Sequence, residues 1–508
     1  MTVTDAAGGV RSEPTDEAKP ARAPVIWRVV TGDEQWKRST ILAWLLLVVV
    51  MTVVLQSTLR FDFRDQPIAG DQSSHLLQAL SLAGDGHDLR YDAADMDQWR
   101  DVGWIATPTS LFFQESDGGY AFAKPYLYSA IVAPFVWALG AVPGVALANS
   151  ALLTLLVVLI VTLLRVRWRG PAIPLCVIAF VFASYCFMYA FVLHTELAIA
   201  VLVTVVCVLT AWFWYTRSLA FAAGAAAVIG VAIPEKPQFV ALFAPLLVAL
   251  LLREGRWWGR AVLLVAALVA FAVATVPYRH YSDGESWNAY QGERYVTYGP
   301  TPFDRPALAT ERTCPPMCRV GPDVADTSID GLRTRLESER GQFASIVYFF
   351  GGRYTGVLPF MPFAIGILVV CLVRWKRLDG LAVAALVSLG AYVLLEVGLY
   401  AQNYWGGGQS LGNRYFLQAA PVVLLALVGS GMSPRWSSRL ALISIVLGVA
   451  FMYPHLVRPH EAYLRMDRTS PVQRLLPIEN NQVFRNFFRC PIYGDCSQTR
   501  QVLPGFDG

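Results

Sequence analysis

The chain has 508 residues, of which 55% are hydrophobic and only 15% charged, with a formal net charge of +4. Soluble domains carry about 25% charged residues, and here the apolar residues fall in long blocks nearly free of charge. That composition excludes a disordered chain, a disulfide-built secreted scaffold and an ordinary cytosolic enzyme, and the small net charge without a basic–aromatic cluster argues against nucleic acid as a partner.

Residues 1–38 are polar, mixed in charge and lack the apolar core of a secretory signal, so they read as a cytoplasmic tail. Lys37 and Arg38 lead into the first span, Ile41–Leu59. Backbone groups in lipid must be satisfied internally, so the apolar blocks are expected to be helices. In chain order the remaining spans are Val145–Leu164, Ala172–Ala190, Leu197–Tyr215, Leu219–Ile233, Phe239–Leu252, Ala261–Pro277, Val357–Val373, Leu381–Tyr400, Tyr415–Gly429 and Leu440–Tyr453. The fold class is therefore an all-α polytopic membrane protein with about eleven transmembrane helices. Several blocks fall short of the ~20 residues a full span needs, and the pair around Pro234–Pro237 is the weakest.

The block Tyr126–Val142 is apolar too, but the basic residues decide against a twelfth span. Arg165, Arg167, Arg169, then Arg253, Arg256, Arg260, then Arg374, Lys376, Arg377, and finally Arg435 and Arg439 all fall in short loops. With eleven spans and the N-terminus inside, every one of these loops is cytoplasmic; a twelfth span would turn them all outward. Tyr126–Val142 is accordingly expected at the outer interface. The chain divides into the tail 1–38, a membrane module 39–277 whose first outer loop is 60–124, a second outer loop 278–356, further helices over 357–454 and an outer tail 455–508. It is placed in the plasma (inner) membrane with the C-terminus outside. Cys314, Cys318, Cys490 and Cys496 then lie in an oxidising compartment, and local disulfides explain them better than a metal site, since no His or second Cys pair completes a tetrahedral set. Cys176, Cys186, Cys207 and Cys371 lie in apolar blocks and are expected to be inert.

The first outer loop concentrates ionisable groups: ten Asp and Glu115 against five Arg plus Lys. Leu76, Leu77, Leu80 and Ala83 recur at helical spacing, so a short amphipathic helix begins near Asp71, with His75 one turn on. Asp71 either caps that helix or carries chemistry; spacing alone leaves both open. Asp85 and Asp88 follow, and the loop ends at Lys124-Pro125. Further on, Leu193-His194-Thr195-Glu196-Leu197 places two ionisable groups at an outer helix end, where such residues are uncommon and point to function. Gly406-Gly407-Gly408 leads to Gly412-Asn413-Arg414-Tyr415 and opens a helix with Arg at its start; Gly351-Gly352-Arg353 is a second Gly-Arg turn. Helix N-termini and Arg forks suit phosphate, although a flexible connector has the same composition.

Taken together, Gly70-Asp71, the Ser81–Leu89 stretch with Asp85 and Asp88, Lys124-Pro125 and Gly412-Asn413-Arg414-Tyr415 resemble the GT-C superfamily of membrane glycosyltransferases. Protein O-mannosyltransferases and lipid A aminoarabinose transferases are relatives. The resemblance, over about Ile41 to Tyr453, implies a GT-C-like fold and transfer of a sugar from a polyprenyl-phosphate donor to a glycan, lipid or protein hydroxyl on the outer face, with inversion. It makes Asp71 the family's essential Asp and catalytic base, Lys124 a contact of the carrier phosphate and Glu196 the acid of the later outer turn; the chemistry of a departing lipid phosphate adds Arg353 and Arg414 as cations expected to meet it. Many relatives follow the Asp with Glu; here Gln72 stands instead, so no clear motif supports a divalent metal, and no other cofactor is implied. A lipid-linked sugar transporter or flippase, or a noncatalytic envelope-assembly subunit, are the alternatives. Glu396 is the main ionisable residue inside a span.

Overall fold

The computed structural model describes residues 38–65, 71–84, 88–91, 101–102, 112–116, 119–281, 286–291, 294–297, 317–320, 342–399, 404, 406, 411–462 and 468–479. Its helices are α1 (Arg38–Leu59), α2 (Asp71–Ala83), α3 (Leu127–Leu139), α4 (Ala141–Arg165), α5 (Ala172–Val177), α6 (Glu196–Thr216), α7 (Leu219–Glu235) and α8 (Phe239–Arg253). They continue as α9 (Trp257–Tyr281), α10 (Gln342–Gly351), α11 (Val357–Phe360), α12 (Pro362–Val373), α13 (Gly380–Leu399), α14 (Arg414–Ala419), α15 (Pro421–Gly429) and α16 (Pro434–Val457). The chain is a helical, polytopic membrane protein. Six helices among the described residues, α1, α4, α6, α9, α13 and α16, are long and apolar enough to cross a membrane.

Each of the eleven expected spans has a helical counterpart, three of them broken. The third runs as α5, a π-helical turn over Ile178–Phe182 and a 3₁₀ segment over Cys186–Phe191; α11 with α12 and α14 with α15 make the other two. Pro362 and Pro421 stand at the first turn of the second halves, where a missing N–H costs nothing. The expected interfacial block is α3, which ends at Gly140 with φ +82° before α4 begins. Its 13 residues rise about 20 Å, short of the ~30 Å hydrocarbon core.

Helix α6 is central: 72% of its apolar window is buried, against 22% for α1 and for α9. The rim helices turn Leu42, Val49, Leu268, Val273 and Val446 outward, as lipid contact requires. Since lipid tails are as apolar as leucine, helices in a membrane associate by close packing, and small residues permit it. A β-carbon on Gly230 of α7 would overlap the Ala267 carbonyl of α9, and one on Gly448 of α16 the Ala183 carbonyl after α5.

The basic loops gather at one end. Arg167 reaches the Tyr215 hydroxyl at 3.1 Å and the Val428 carbonyl at 3.4 Å, Arg217 the Arg253 carbonyl, and Arg374 the Gly431 carbonyl at 3.2 Å. Asp71, Lys124, His194, Lys236 and Arg414 belong to the connections at the other end.

One feature was not expected from the sequence. At that second end a five-stranded antiparallel sheet forms, in the order β1 (Arg90–Tyr91), β3 (Gly119–Phe122), β2 (Phe112–Ser116), β4 (Arg294–Thr297), β5 (Met317–Val320). The pairing of β2 with β4, Phe113 opposite Tyr295, joins the first long loop to the second, so the two read as separate units are laced together. Phe113 is buried under Tyr91 and Phe122, with ring centroids 5.3 and 5.6 Å away. Cys318 lies on β5, but Cys314, Cys490, Cys496 and Asp85 fall outside the described residues. The core cysteines Cys176, Cys186, Cys207 and Cys371 are free and buried, as expected.

Candidate functional site

Helix α2 sets the first two charges. It begins at Asp71 and lies against α3, where the Ser129 hydroxyl is 2.7 Å from Gln78 Oε1 and 3.0 Å from the His75 carbonyl. Gln78 also donates to the Lys124 carbonyl at 3.2 Å. Strand β3 feeds Lys124 in from the other side, and the Lys124 Nζ comes to rest 2.6 Å from Asp71 Oδ1.

The other groups come from the ends of α6 and α14. Tyr128 donates to Asn149 Oδ1 at 3.0 Å, and Asn149 in turn donates to the Ala190 and Val192 carbonyls, which fixes the chain just before His194. Tyr185 and Tyr189, from the broken third span, donate to the Asn413 and Leu411 carbonyls at 2.6 and 3.0 Å. Asn413 itself accepts from the Phe416 N–H at 2.9 Å and so caps α14. That cap aims Arg414 at Asp71, with NH1 3.2 Å from Oδ2. A β-carbon on Gly406, whose φ is +101°, would overlap the Arg414 side chain; the glycine lets the loop lie on the guanidinium stem.

His194 completes the ring of contacts. Its Nε2 lies 3.3 Å from Asp71 Oδ2 and 2.5 Å from Arg414 NH1, while its Nδ1 meets the Glu196 carboxylate. Glu196 also accepts from Gln418 at 3.0 Å and faces Arg414 Nε at 3.8 Å. Lys236, fixed between α7 and α8, stacks on Tyr415 with its Nζ 5.0 Å from the ring centroid; the Arg414 guanidinium approaches the same ring at 5.7 Å. Two acids and three cations thus meet where α2, α6, α14 and the 236 connection converge.

Burial on its own would raise the Asp71 carboxyl, but Lys124, the His194 hydrogen bond and Arg414 outweigh it and hold Asp71 well below the usual carboxylate range. His75 sits behind the cluster, its ring 6.1 Å from that of His194; burial, then the neighbouring His194, push it down to about 3 and keep it neutral. Burial also pulls Lys236 down, to about 8. Of the two acids only Asp71 is reachable, with 21% of its side chain exposed, whereas Glu196 is fully enclosed.

The structure therefore brings together Asp71, Lys124, His194, Glu196 and Arg414, with His75 and Asn413 behind them. Two expected residues lie elsewhere. Arg353, expected at a phosphate, has its guanidinium on the Leu476 carbonyl at 3.1 and 3.0 Å and the Arg474 carbonyl at 2.5 Å, docking the segment 468–479. The same turn gives its Tyr354 and Thr355 N–H groups to buried Glu479, at 2.8 and 2.7 Å, so a carboxylate of the chain occupies the Gly-Arg turn. Asp88 accepts from the Arg90 N–H at 2.9 Å and shapes the entry to β1. Lys236 and Gln418 were not anticipated. The signal for Lys236 was available, as a Pro-Glu-Lys-Pro run of ionisable residues set between two apolar blocks. Among the described residues no group of three or more His, Cys, Asp and Glu side chains is arranged to hold a metal ion.

No protein-family model matches the chain, and no curated protein matches it. Among solved structures, ArnT from Cupriavidus metallidurans in the apo state is similar at 15% identity and a TM-score of 0.39, over 78% of this chain. The chain spans 61% of the length of that structure.

Proposed function

We propose that the protein is a membrane glycosyltransferase of GT-C type, which moves a sugar from a polyprenyl-phosphate donor to an acceptor hydroxyl at the site end of the bundle. The observation that carries this reading is the clasp on Asp71: one reachable carboxylate held by Lys124 and Arg414, at the start of an amphipathic helix lying beside the short helix α3. A donor of this kind already has phosphate on its anomeric carbon, so no acid must protonate the leaving group. One carboxylate is enough to take the acceptor proton. As the new carbon–oxygen bond forms on one face, the bond to phosphate breaks on the other and the centre inverts. Lys124 and Arg414 meet the charge that grows on the departing lipid phosphate.

A carboxylate clasped by two cations is a weak base, and this orders the events. An incoming phosphate competes for Lys124 and Arg414, and Asp71, relieved of part of its counter-charge, becomes basic when a donor is present. His194, braced by Glu196, keeps the freed carboxylate in place. The donor lipid would lie along α3, with its sugar toward Asp71.

The test is a deletion strain whose envelope lipids are analysed by mass spectrometry. Accumulation of a polyprenyl-phosphate sugar, cleared by the wild-type gene but not by Asp71→Asn, supports the reading. A transporter would leave the lipid-linked sugar on the inner leaflet, and a noncatalytic subunit would be indifferent to Asp71→Asn; either result refutes the transferase.

A further inference from the structure

Beside the clasp lies a second pair of opposite charges that the transfer step does not use. Glu235 ends α7 and Lys236 follows it, and the two side chains diverge. Glu235 accepts from the Tyr278 hydroxyl at 2.8 Å and from the Leu127 N–H at 3.3 Å, and so anchors the start of α3. Lys236, only 5% exposed, instead lies over the Tyr415 ring. Helix α13 packs alongside: Phe239 and Tyr392 have ring centroids 6.0 Å apart, and Tyr392 donates to the Tyr415 carbonyl at 3.2 Å. One turn further along α13 is Glu396, fully buried, with the Tyr392 hydroxyl as its neighbouring donor but no well-formed hydrogen bond to either carboxylate oxygen among the described residues. Among the described residues it forms no ion pair with Lys236.

A buried carboxylate whose oxygens lack well-formed hydrogen bonds is expensive, and such a group calls for an explanation. Lys236 offers donors only and Glu396 accepts only. A phosphate would satisfy the first and be repelled by the second. A hydroxyl donates and accepts at once, so neighbouring hydroxyls of a sugar satisfy both. Position agrees with chemistry: Lys236 and Arg414 share the Tyr415 ring, at 5.0 and 5.7 Å from its centroid. The two cations are therefore neighbours on one ring, so a group bound at Lys236 lies beside one bound at Arg414.

We infer that Lys236 and Glu396 form the sugar-reading subsite, gripping ring hydroxyls of the transferred residue while Lys124 and Arg414 hold its phosphate. This rests on the donor reading above. It assigns sugar choice to the bundle, at α13 and the 236 connection, rather than to the long loops.

The test measures binding of bare undecaprenyl phosphate and of its mannosyl, glucosyl and arabinosyl phosphodiesters to the purified full-length protein in nanodiscs. Wild type should bind one sugar-bearing carrier more tightly than the bare one. Glu396→Gln, close to isosteric, and Lys236→Met should each erase about tenfold or more of that preference, as expected for lost charge-assisted hydrogen bonds. Affinity for bare carrier should stay within about twofold, because neither residue is assigned to the phosphate. The inference falls if both variants keep the preference, if bare-carrier binding drops in parallel, or if wild type shows no preference among the sugars. Failure of wild type to bind any of these carriers refutes the donor reading itself.

Discussion

Replacing Asp71 with Asn removes one negative charge from between Lys124 at 2.6 Å, Arg414 at 3.2 Å and His194 at 3.3 Å. Asn keeps the size and caps a helix about as well as Asp, so α2 should still form. What is lost is the counter-charge for an almost enclosed Lys124. Deleting one partner of a buried ion pair costs ~3–5 kcal/mol, and because Asp71 keeps a fifth of its surface exposed we expect about 3 kcal/mol, the low end of that range. Transfer should fall further, by ~10²–10⁴, the usual contribution of a general base. The two losses separate in one experiment. Inorganic phosphate should raise the melting temperature of the purified variant more than that of wild type, since it replaces the missing charge between the cations, but it should not restore clearance of lipid-linked sugar. Asp71→Glu should keep most stability. pH gives an independent check: the Asp71 carboxyl is depressed in the fold, so its stabilisation is complete above the unfolded value of about 3.9 and is lost only as pH falls through the lower, folded value. Near-normal transfer by a fully folded Asp71→Asn would refute the reasoning and return this residue to the role of a helix cap.

Arg353→Ala should leave donor clearance intact and release the segment 468–479; hydrogen exchange there should quicken, reflecting about 1.5–3 kcal/mol of charge-assisted bonding. Burial pushes the Glu479 carboxyl up, so docking of that segment should be firmest at acidic pH and weaken as pH rises through the raised value. Glu479→Gln should remove this pH dependence from its exchange protection; an unchanged profile would place the titration elsewhere. A periplasm-active reporter fused after Gly508 should give signal, and a silent one would reverse the proposed orientation. Non-reducing peptide mapping should recover Cys314 linked to Cys318 and Cys490 linked to Cys496, whereas free thiols at all four would reject both pairings.

The helices were legible because lipid imposes one demand over many residues, and a block such as Ala261–Pro277 satisfies it in no other way. The clasp was legible in part for the opposite reason: Asp71, Lys124, His194, Glu196 and Arg414 are ionisable residues at the ends of apolar blocks, where charge is costly without a use. Arg353 looked equivalent from its Gly-Arg turn. Its actual partners, the Arg474 and Leu476 carbonyls, lie more than a hundred residues away and leave no local trace. The sheet escaped because its strands are two to five residues long, too short for periodicity to register, although Asp117-Gly118 between β2 and β3 is a strong hairpin signal. Lys236 escaped because the Pro234–Pro237 break reads as a defect in a span.

The lacing of β2 to β4 has a mechanical consequence. Lys124 is the second residue beyond β3, and β3 is paired to β2, which is paired to β4 of the other loop. Whatever pulls on the 278–356 loop therefore pulls, through two ladders of backbone bonds, on the cation nearest Asp71. A ligand caught by that loop would shift the counter-charge of Asp71 without touching it, and exchanging the loop for another sequence would retune the charged cluster along with the surface it presents.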